Sequence, residues 1–323
     1  MTVKKSRGTL SLPTLADVAR VAGVSTATVS RYLNGRDALK PATSERVSEA
    51  IQSLGYVPHG AARALASRQS FTIGAVFPAL NNQIFATAAQ SMQEALEPEG
   101  YTLLLANSDY NSQREVKQLQ SLMRRGVDGV LLVGQQHENA LYDLLAQHQI
   151  PYLNSWVFEP HSPHPTLGFD NAQGSKELAR YLLDLGHRRI GMVAGLQLGN
   201  DRARERVRGV REALQEHGLT LGSSQFREAP YTIAGGRTAC SELLRASPDI
   251  TAIICGNDIL AMGAIFECQR IGIKVPEDLS ITGYDDIDIV ADMTPGLTTV
   301  HVPAEIIGRR EEERGGKKRR GEE

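Results

Sequence analysis

Polar and aromatic side chains follow the apolar runs in the longer, second part of the sequence. They combine amide, carboxylate, guanidinium and ring groups: Asn82, Phe85, Trp156, Phe169, Asp170, Arg206, Asn257 and Asp285. Amides and carboxylates form paired hydrogen bonds with neighbouring hydroxyls, and a ring stacks on the C–H face of a sugar. An arginine fork holds a carboxylate. The mixture indicates a site for a small sugar or sugar acid.

A second group of small polar side chains lies near the amino terminus, in LADVARVAGVSTATVSRYLNG (15–35). Thr26 can contact a thymine methyl group, and Arg31 can reach a guanine edge or a phosphate. The candidate DNA-binding residues of this stretch are Ser25, Thr26, Ala27, Thr28, Ser30 and Arg31. The alternative is the polar face of a three-helix bundle with no nucleic-acid partner.

The position of Gly23 explains how these side chains are presented. It interrupts apolar residues at helical spacing, where a continuous helix would lose about 1 kcal/mol. Thr14 and Asp17 have capping-box spacing for a first helix, which Gly23 ends, and Ser25 caps a second helix. The stretch therefore predicts a helix-turn-helix, followed by a third helix from Pro41 to Gly55.

Continuous apolar runs alternate with helical segments from residue 71 onward. Strands are predicted at 73–78, 101–107, 127–134, 150–155, 188–195, 251–258 and 279–286. Such runs are typical of buried parallel strands, and ligands of open α/β sheets bind at the carboxyl ends of the strands. We predict a small all-α helix-turn-helix head followed by a two-lobed α/β body of doubly wound parallel sheets, with a cleft between the lobes.

The head stretch, together with ERVSEAIQSLGYVPH and AARALASRQS, resembles the DNA-binding head of the LacI family of bacterial transcription regulators. The resemblance covers about residues 12–310. It places Thr26, Ala27 and Arg31 at base-reading positions, and it implies a hinge helix with Leu65 as a minor-groove wedge and Arg63 facing phosphate. It also implies a periplasmic-binding-protein-like body whose effector contacts are Asn82, Phe85, Trp156, Phe169, Arg206, Asn257 and Asp285.

The resemblance implies a cytoplasmic homodimeric repressor of carbohydrate metabolism. Its partners would be near-palindromic double-stranded operator DNA and a small sugar or sugar-acid effector. The segments PALNNQIFA and AIFECQRIG resemble the gluconate-type subgroup. The predicted domains are 1–58 (head), 59–70 (hinge), 71–307 (effector binding and dimerisation) and 308–323 (a charged tail). Lys40 and His59 depart from the family pattern, which has a Ser or Thr cap and an Asn there.

Charge and cysteine content agree with this organisation. Residues 1–70 carry ten Lys/Arg against four Asp/Glu, whereas residues 71–307 carry eighteen against twenty-eight. A basic head on an acidic body favours a polyanion partner for the head. The three cysteines form no CxxC pair, and no cofactor, metal, membrane-spanning or signal segment is indicated. His161 and His164 in a proline-rich loop leave open a metal site, although solvent exposure is the simpler interpretation.

Several alternatives remain open at this point. Asp170 and Asp285 would serve equally as helix caps, Asn82 as a turn residue and Trp156 as plain core. A stand-alone sugar-binding protein would share the two-lobed body, and a sugar-modifying enzyme would need a nucleophile or cofactor motif that the sequence does not display. The tail 308–323 has twelve charged residues of sixteen, which predicts disorder and a truncated or frame-altered terminus.

Overall fold

The computed structural model describes residues 12–34, 39–57 and 69–309. The chain divides into two compact units, residues 1–70 and 71–323, which we call the head and the body. The described part of the head contains three helices: α1 (Leu15–Ala22), α2 (Thr26–Asn34) and α3 (Pro41–Leu54). They share one apolar core, in which Val18, Val29 and Val47 are fully buried.

The turn between α1 and α2 has the predicted chemistry. Thr14 accepts a hydrogen bond from the Asp17 N–H at 3.3 Å, and the Asp17 carboxylate accepts one from the Thr14 N–H at 3.0 Å. Gly23 is left-handed, with φ 64°, and the Thr28 N–H donates to Ser25 Oγ at 3.2 Å. The glycine therefore ends α1 and allows α2 to start in a new direction. Lys40 supplies no side-chain cap to α3.

Gly23→Ala should destabilise the head by about 1–2 kcal/mol, because a residue with a Cβ is strained by that amount in the left-handed region. A Cβ there would meet only Arg46 Nη1, at 3.7 Å, so the backbone angle and not crowding sets the loss. Amide hydrogen exchange across α1 and α2 measures the effect. Gly23→Asn is the control, since asparagine tolerates this conformation better. Equal protection of Gly23→Ala and the wild-type protein would contradict the prediction.

The body has two parallel sheets, one in each of two lobes. The first lobe contains β1 (Thr72–Phe77), β2 (Thr102–Asn107), β3 (Gly129–Val133), β4 (Tyr152–Ser155) and β5 (Thr166–Leu167), in the order β2-β1-β3-β4-β5. The second lobe contains β6 (Ile190–Gly195), β7 (Phe226–Ala229), β8 (Ala252–Cys255) and β9 (Ser280–Thr282), in the order β7-β6-β8-β9. All paired strands run parallel, which confirms the predicted fold class.

Helices cover both faces of each sheet. The described helices of the body are α4 (Gln83–Leu96), α5 (Ser112–Arg124), α6 (Asn139–Gln147), α7 (Asn171–Asp184), α8 (Asp201–Glu216), α9 (Ile233–Ala246) and α10 (Asp258–Ile271). Each sheet separates two apolar clusters, so its central strands are buried on both sides. The segment after β9 returns to the first lobe, where Val302, Ala304 and Ile307 join the core. A helical turn occupies 304–309, and the rest of the predicted tail lies outside the described residues.

Candidate functional site

A narrow cavity with a volume of about 20 Å³ lies between the two lobes of the body. The residues lining it are Asn82, Ile84, Phe85, Tyr110, Trp156, Asn200, Arg202, Arg206, Tyr231, Asn257 and Asp285. The carboxyl ends of the parallel strands of both sheets lead into this region, which is where open α/β folds bind ligands. Six of the eight residues predicted for the effector site therefore meet at one cavity.

Three asparagines of the cavity wall also begin helices. The Oδ1 atoms of Asn82, Asn200 and Asn257 accept hydrogen bonds from backbone N–H groups in the first turns of α4, α8 and α10, at 3.3, 3.3 and 2.9 Å. Because the side-chain oxygens cap the helices, the side-chain amide nitrogens of these asparagines are the groups that can donate to other partners. Asn200 Nδ2 lies 3.5 Å from the Tyr231 hydroxyl. The cavity is therefore bordered by hydrogen-bond donors at three helix N-termini.

Arg206, on α8, is the most connected side chain of the cavity. Its Nε donates to Asn171 Oδ1 at 3.0 Å, its Nη1 donates to the Gly256 carbonyl at 2.7 Å, and its Nη2 lies 3.3 Å from Asp285 Oδ1. The guanidinium carbon also stands 3.7 Å above the Tyr284 ring centroid. A buried cation with this many partners is fixed in one orientation.

Asp285 is the buried carboxylate that faces Arg206. Burial raises the pKa of Asp285 to about 7, and the positive charge of Arg206 opposes that rise. Its backbone is left-handed, with φ 117°, in the turn after β9. The Asp285 N–H donates to the Val300 carbonyl at 3.0 Å, so the returning segment holds this turn in place. Above neutral pH the site therefore contains an ionised pair.

Aromatic rings form the wall on the side of the first lobe. The centroid of Trp156 lies 5.2 Å from that of Phe85 and 6.1 Å from that of Phe77, in edge-on contacts. Trp156 is only 2% exposed, and its Nε1 has no hydrogen-bond partner within the described ranges. Trp156 thus belongs to the core and to the cavity at once, and its indole N–H is an unused donor.

The start of α8 joins the lobes through a contact that we call the interlobe latch, formed by Asp201 and Arg202 against residues 133–136. Asp201 Oδ2 accepts hydrogen bonds from the backbone N–H groups of Gln135 and Gln136 at 2.6 and 3.3 Å. Arg202 Nη1 donates to the Val133 carbonyl at 3.0 Å and to Asp201 Oδ1 at 2.7 Å. Burial opposes ionisation, but Arg202 and the Gln135 N–H outweigh it, so the pKa of Asp201 lies below its ordinary value.

The candidate DNA-binding surface lies on α2 and its N-terminal turn. Ser25, Thr26, Ala27 and Arg31 are exposed, and Thr28 and Ser30 are half-buried. Val29, between them, is fully buried and anchors the helix to the core of the head. The outward face therefore carries small side chains and one cation. The predicted hinge residues Arg63 and Leu65 lie outside the described residues.

Comparisons with known proteins match both units. A family model described as bacterial regulatory proteins of the lacI family matches residues 14–59, and one described as periplasmic binding proteins and sugar binding domain of LacI family matches residues 70–314. The chain belongs to the LacI family. The Catabolite control protein A of Priestia megaterium is 34% identical to it over 295 residues, which cover 91% of this chain and 89% of that protein.

Solved structures of LacI-family proteins share the fold. A LacI-family transcriptional regulator from Silicibacter pomeroyi has a TM-score of 0.86 and 28% identity, covering 96% of this chain and 94% of that one. The lac repressor dimer bound to operator and the anti-inducer ONPF has a TM-score of 0.83 and 25% identity, covering 94% and 91%. The chain is thus a LacI-family DNA-binding transcription regulator with an effector-binding body.

Two predicted effector residues of this LacI-family chain lie outside the cavity lining. Phe169 packs against the core of the first lobe, with its ring centroid 6.4 Å from that of Tyr284. The Asp170 carboxylate caps α7 by accepting a hydrogen bond from the Gln173 N–H at 2.9 Å. For Asp170, the helix-cap alternative describes the observed geometry.

Five lining residues were not predicted: Ile84, Tyr110, Asn200, Arg202 and Tyr231. Tyr110 follows β2 and Tyr231 follows β7, and their ring centroids lie 6.0 Å apart across the cleft. Both strands are sheet edges. The rule that ligand residues follow strand ends would have found both tyrosines if it had been applied to edge strands as well.

The described ranges contain neither a cluster of metal ligands nor a helix that could span a membrane. No group of three or more His, Cys, Asp or Glu side chains could hold a metal ion there. His164 of the proline-rich loop instead shares a hydrogen bond of 2.6 Å with the Tyr152 hydroxyl and stacks on Tyr142. None of the helices described here has the length and apolar character needed to cross a bilayer.

Proposed function

We propose that this regulator is a cytoplasmic repressor of carbohydrate genes whose hold on DNA depends on a small polyhydroxylated effector bound between the lobes. The observation that carries the proposal is the cavity itself. It combines three helix-capping asparagines, a buried Arg206–Asp285 pair and an aromatic wall, in a chain that also has a helix-turn-helix head. These groups suit hydroxyls and the C–H face of a ring.

The DNA-binding half of the proposal rests on α2. In a homodimer, two copies of α2 would enter major grooves one helical turn apart, on a near-palindromic duplex. Ser25, Thr26, Ala27, Thr28, Ser30 and Arg31 would form the contact surface. Arg63 and Leu65 are proposed to extend the contact to phosphate and to the minor groove, as hinge residues between the domains 1–58 and 71–307.

The regulatory half rests on closure of the cleft. An effector shifts an equilibrium only by its difference in affinity for the two states. Asp201 and Arg202 join the lobes beside the cavity, so a ligand that contacts both lobes would stabilise the latched state. That change in the body would determine whether the hinge is ordered on DNA.

The two competing candidates, a sugar-modifying enzyme and a stand-alone sugar-binding protein, make different demands on the cavity. A sugar-cleaving enzyme would need two carboxyl groups at the sugar, whereas Asp285 is the one carboxylate among the described lining residues and is paired with Arg206. We therefore propose binding without a catalytic step. A stand-alone sugar-binding protein would have the same cavity, and DNA binding distinguishes it from a regulator.

Arg31→Ala should weaken binding to a cognate duplex by about 1–3 kcal/mol, because a side chain that reads a base edge contributes that much. The duplex is selected from a random pool with the full-length protein, and affinities are measured by fluorescence anisotropy at fixed salt. Scrambled DNA should bind the variant and the wild-type protein alike. Arg20→Ala is the control, since Arg20 is an exposed arginine on α1 that pairs with Asp17.

Two results would contradict the DNA-binding proposal. One is failure of the full-length protein to enrich any duplex. The other is retention on heparin that is unchanged when residues 1–70 are deleted. An equal loss of affinity for cognate and scrambled DNA would instead assign Arg31 to phosphate.

A further inference from the structure

We propose that the cavity selects uncharged polyhydroxylated effectors and rejects sugar acids and sugar phosphates, because both of its arginines are already neutralised by aspartates. The inference rests on the proposed function, since it specifies the effector class of the same site. It also chooses between the two effector classes that the sequence left open, a sugar and a sugar acid.

The Arg206 guanidinium is committed to the protein. Three of its five N–H groups have partners, one on each nitrogen: Asn171 Oδ1 at 3.0 Å, the Gly256 carbonyl at 2.7 Å and Asp285 Oδ1 at 3.3 Å. A carboxylate or phosphate that used the remaining N–H groups would share the guanidinium with the Asp285 carboxylate and be repelled by it. One that took an occupied N–H group would displace its acceptor. Each of these acceptors is held in a buried position, so the displaced group would lose a hydrogen bond without gaining water.

Arg202 is neutralised in the same way. Its Nη1 lies 2.7 Å from Asp201 Oδ1, and both side chains are less than a tenth exposed. The charged groups that line the cavity are Arg202, Arg206 and Asp285, and Asp201 is the counter-ion of the first. Two cations are thus matched by two carboxylates, and the cavity wall has no excess positive charge for an anion.

The groups left over suit hydroxyls. The Trp156 indole N–H and the amide nitrogens of Asn82 and Asn257 are donors, whereas Asp285 is an acceptor. Helix N-termini alone would favour an anion as well as a neutral oxygen. The Asp285 carboxylate favours the neutral ligand over the anion, because it repels a negative charge and accepts a hydrogen bond from a hydroxyl group. A hydroxyl group can donate to Asp285 and accept from the other groups at the same time.

The test compares wild-type protein with Asp285→Asn, full length and at pH 8, where Asp285 is ionised. Ligands are neutral D-ribose, D-glucose and D-galactose, anionic D-gluconate and glucose 6-phosphate, and inorganic phosphate. Trp156 is the single tryptophan of the chain, so its fluorescence reports the cavity, and thermal unfolding is the second readout. Asp286→Asn is the matched control, because this adjacent carboxylate pairs with exposed His301 instead.

We expect at least one neutral sugar, and none of the anions, to shift wild-type fluorescence and melting temperature. Asp285→Asn leaves Arg206 without its counter-ion, so its affinity for phosphate should rise at least tenfold, whereas Asp286→Asn should match the wild type. Stronger wild-type binding of gluconate or glucose 6-phosphate than of glucose would overturn the inference. So would equal phosphate affinity of the two variants.

The outcomes separate this inference from the proposed function. If neutral sugars bind the wild-type protein and Asp285→Asn gains phosphate affinity, but no sugar alters the affinity for DNA, the inference stands and the effector role in the proposed function fails. If the variant does not fold, the wild-type comparison of D-glucose with D-gluconate and glucose 6-phosphate still decides the question. Binding of neither class to the wild-type protein then counts against the inference as well.

Discussion

Arg206→Met is expected to lower the free energy of unfolding of the body by about 3–5 kcal/mol, because removing one partner of a buried ion pair leaves the other charge uncompensated. The variant loses the contacts of Arg206 with Asn171, Gly256 and Asp285 and its position over the Tyr284 ring. The effector response should disappear together with the stability. Urea unfolding followed by the fluorescence of Trp156, the only tryptophan, measures the loss in the body.

Arg208→Met is the matched control on the same helix. Arg208 is about half exposed and pairs with Glu205 and Glu212. Exposed pairs of this kind contribute roughly 0–1 kcal/mol, so Arg208→Met should be nearly neutral. The double variant Arg206→Met/Asp285→Asn should recover part of the loss, since it removes the uncompensated carboxylate. Equal losses for Arg206→Met and Arg208→Met would show that the buried pair is not what holds α8 to the turn after β9.

Gly134→Ala is expected to weaken effector binding at least tenfold by breaking the interlobe latch. Gly134 has φ 96°, and a Cβ there would overlap the Arg202 guanidinium and lie 2.7 Å from Asp201 Oδ1. The side chains that join the lobes would have to move away from Val133 and Gln135. Fluorescence titration measures affinity, and small-angle scattering reports the separation of the lobes.

Gly126→Ala separates crowding from backbone strain. Gly126 is also left-handed, with φ 74°, but a Cβ there would meet nothing within 4 Å. It should therefore show only the conformational cost of about 1–2 kcal/mol in stability and bind effector normally. If both variants bind effector equally well, the latch does not contribute to closure.

The sequence predicted the parts of the site that follow strands lying within recognisable apolar runs. Asn257 follows β8 and Asp285 follows β9, so the strand-end rule placed them correctly in the cleft. The rule failed at β7 (Phe226–Ala229), which mixes apolar with charged residues, and Tyr231 was missed with it. An edge strand with one less buried face carries a weaker apolar signal.

The latch could not be predicted from local pattern. Asp201 reads as an ordinary acidic residue in the first turn of α8, and only tertiary packing brings backbone N–H groups of the first lobe to its carboxylate. Asp170 shows the converse. Its position after a strand matched the rule, yet its carboxylate points back to the first turn of α7. An aspartate at the start of a helix can therefore either cap that helix or contact the other lobe, and the sequence alone does not show which residues the other lobe brings near it.

The three capping asparagines restrict how this molecule can evolve. Replacing Asn82, Asn200 or Asn257 to suit a new ligand would also remove the cap of a helix, which costs about 1 kcal/mol. Ile84, Tyr110 and Tyr231 line the same cavity without capping a helix. Substitutions at Ile84, Tyr110 and Tyr231 can therefore change effector specificity with the smallest loss of stability. Paralogues with altered specificity should differ at these positions before they differ at the asparagines.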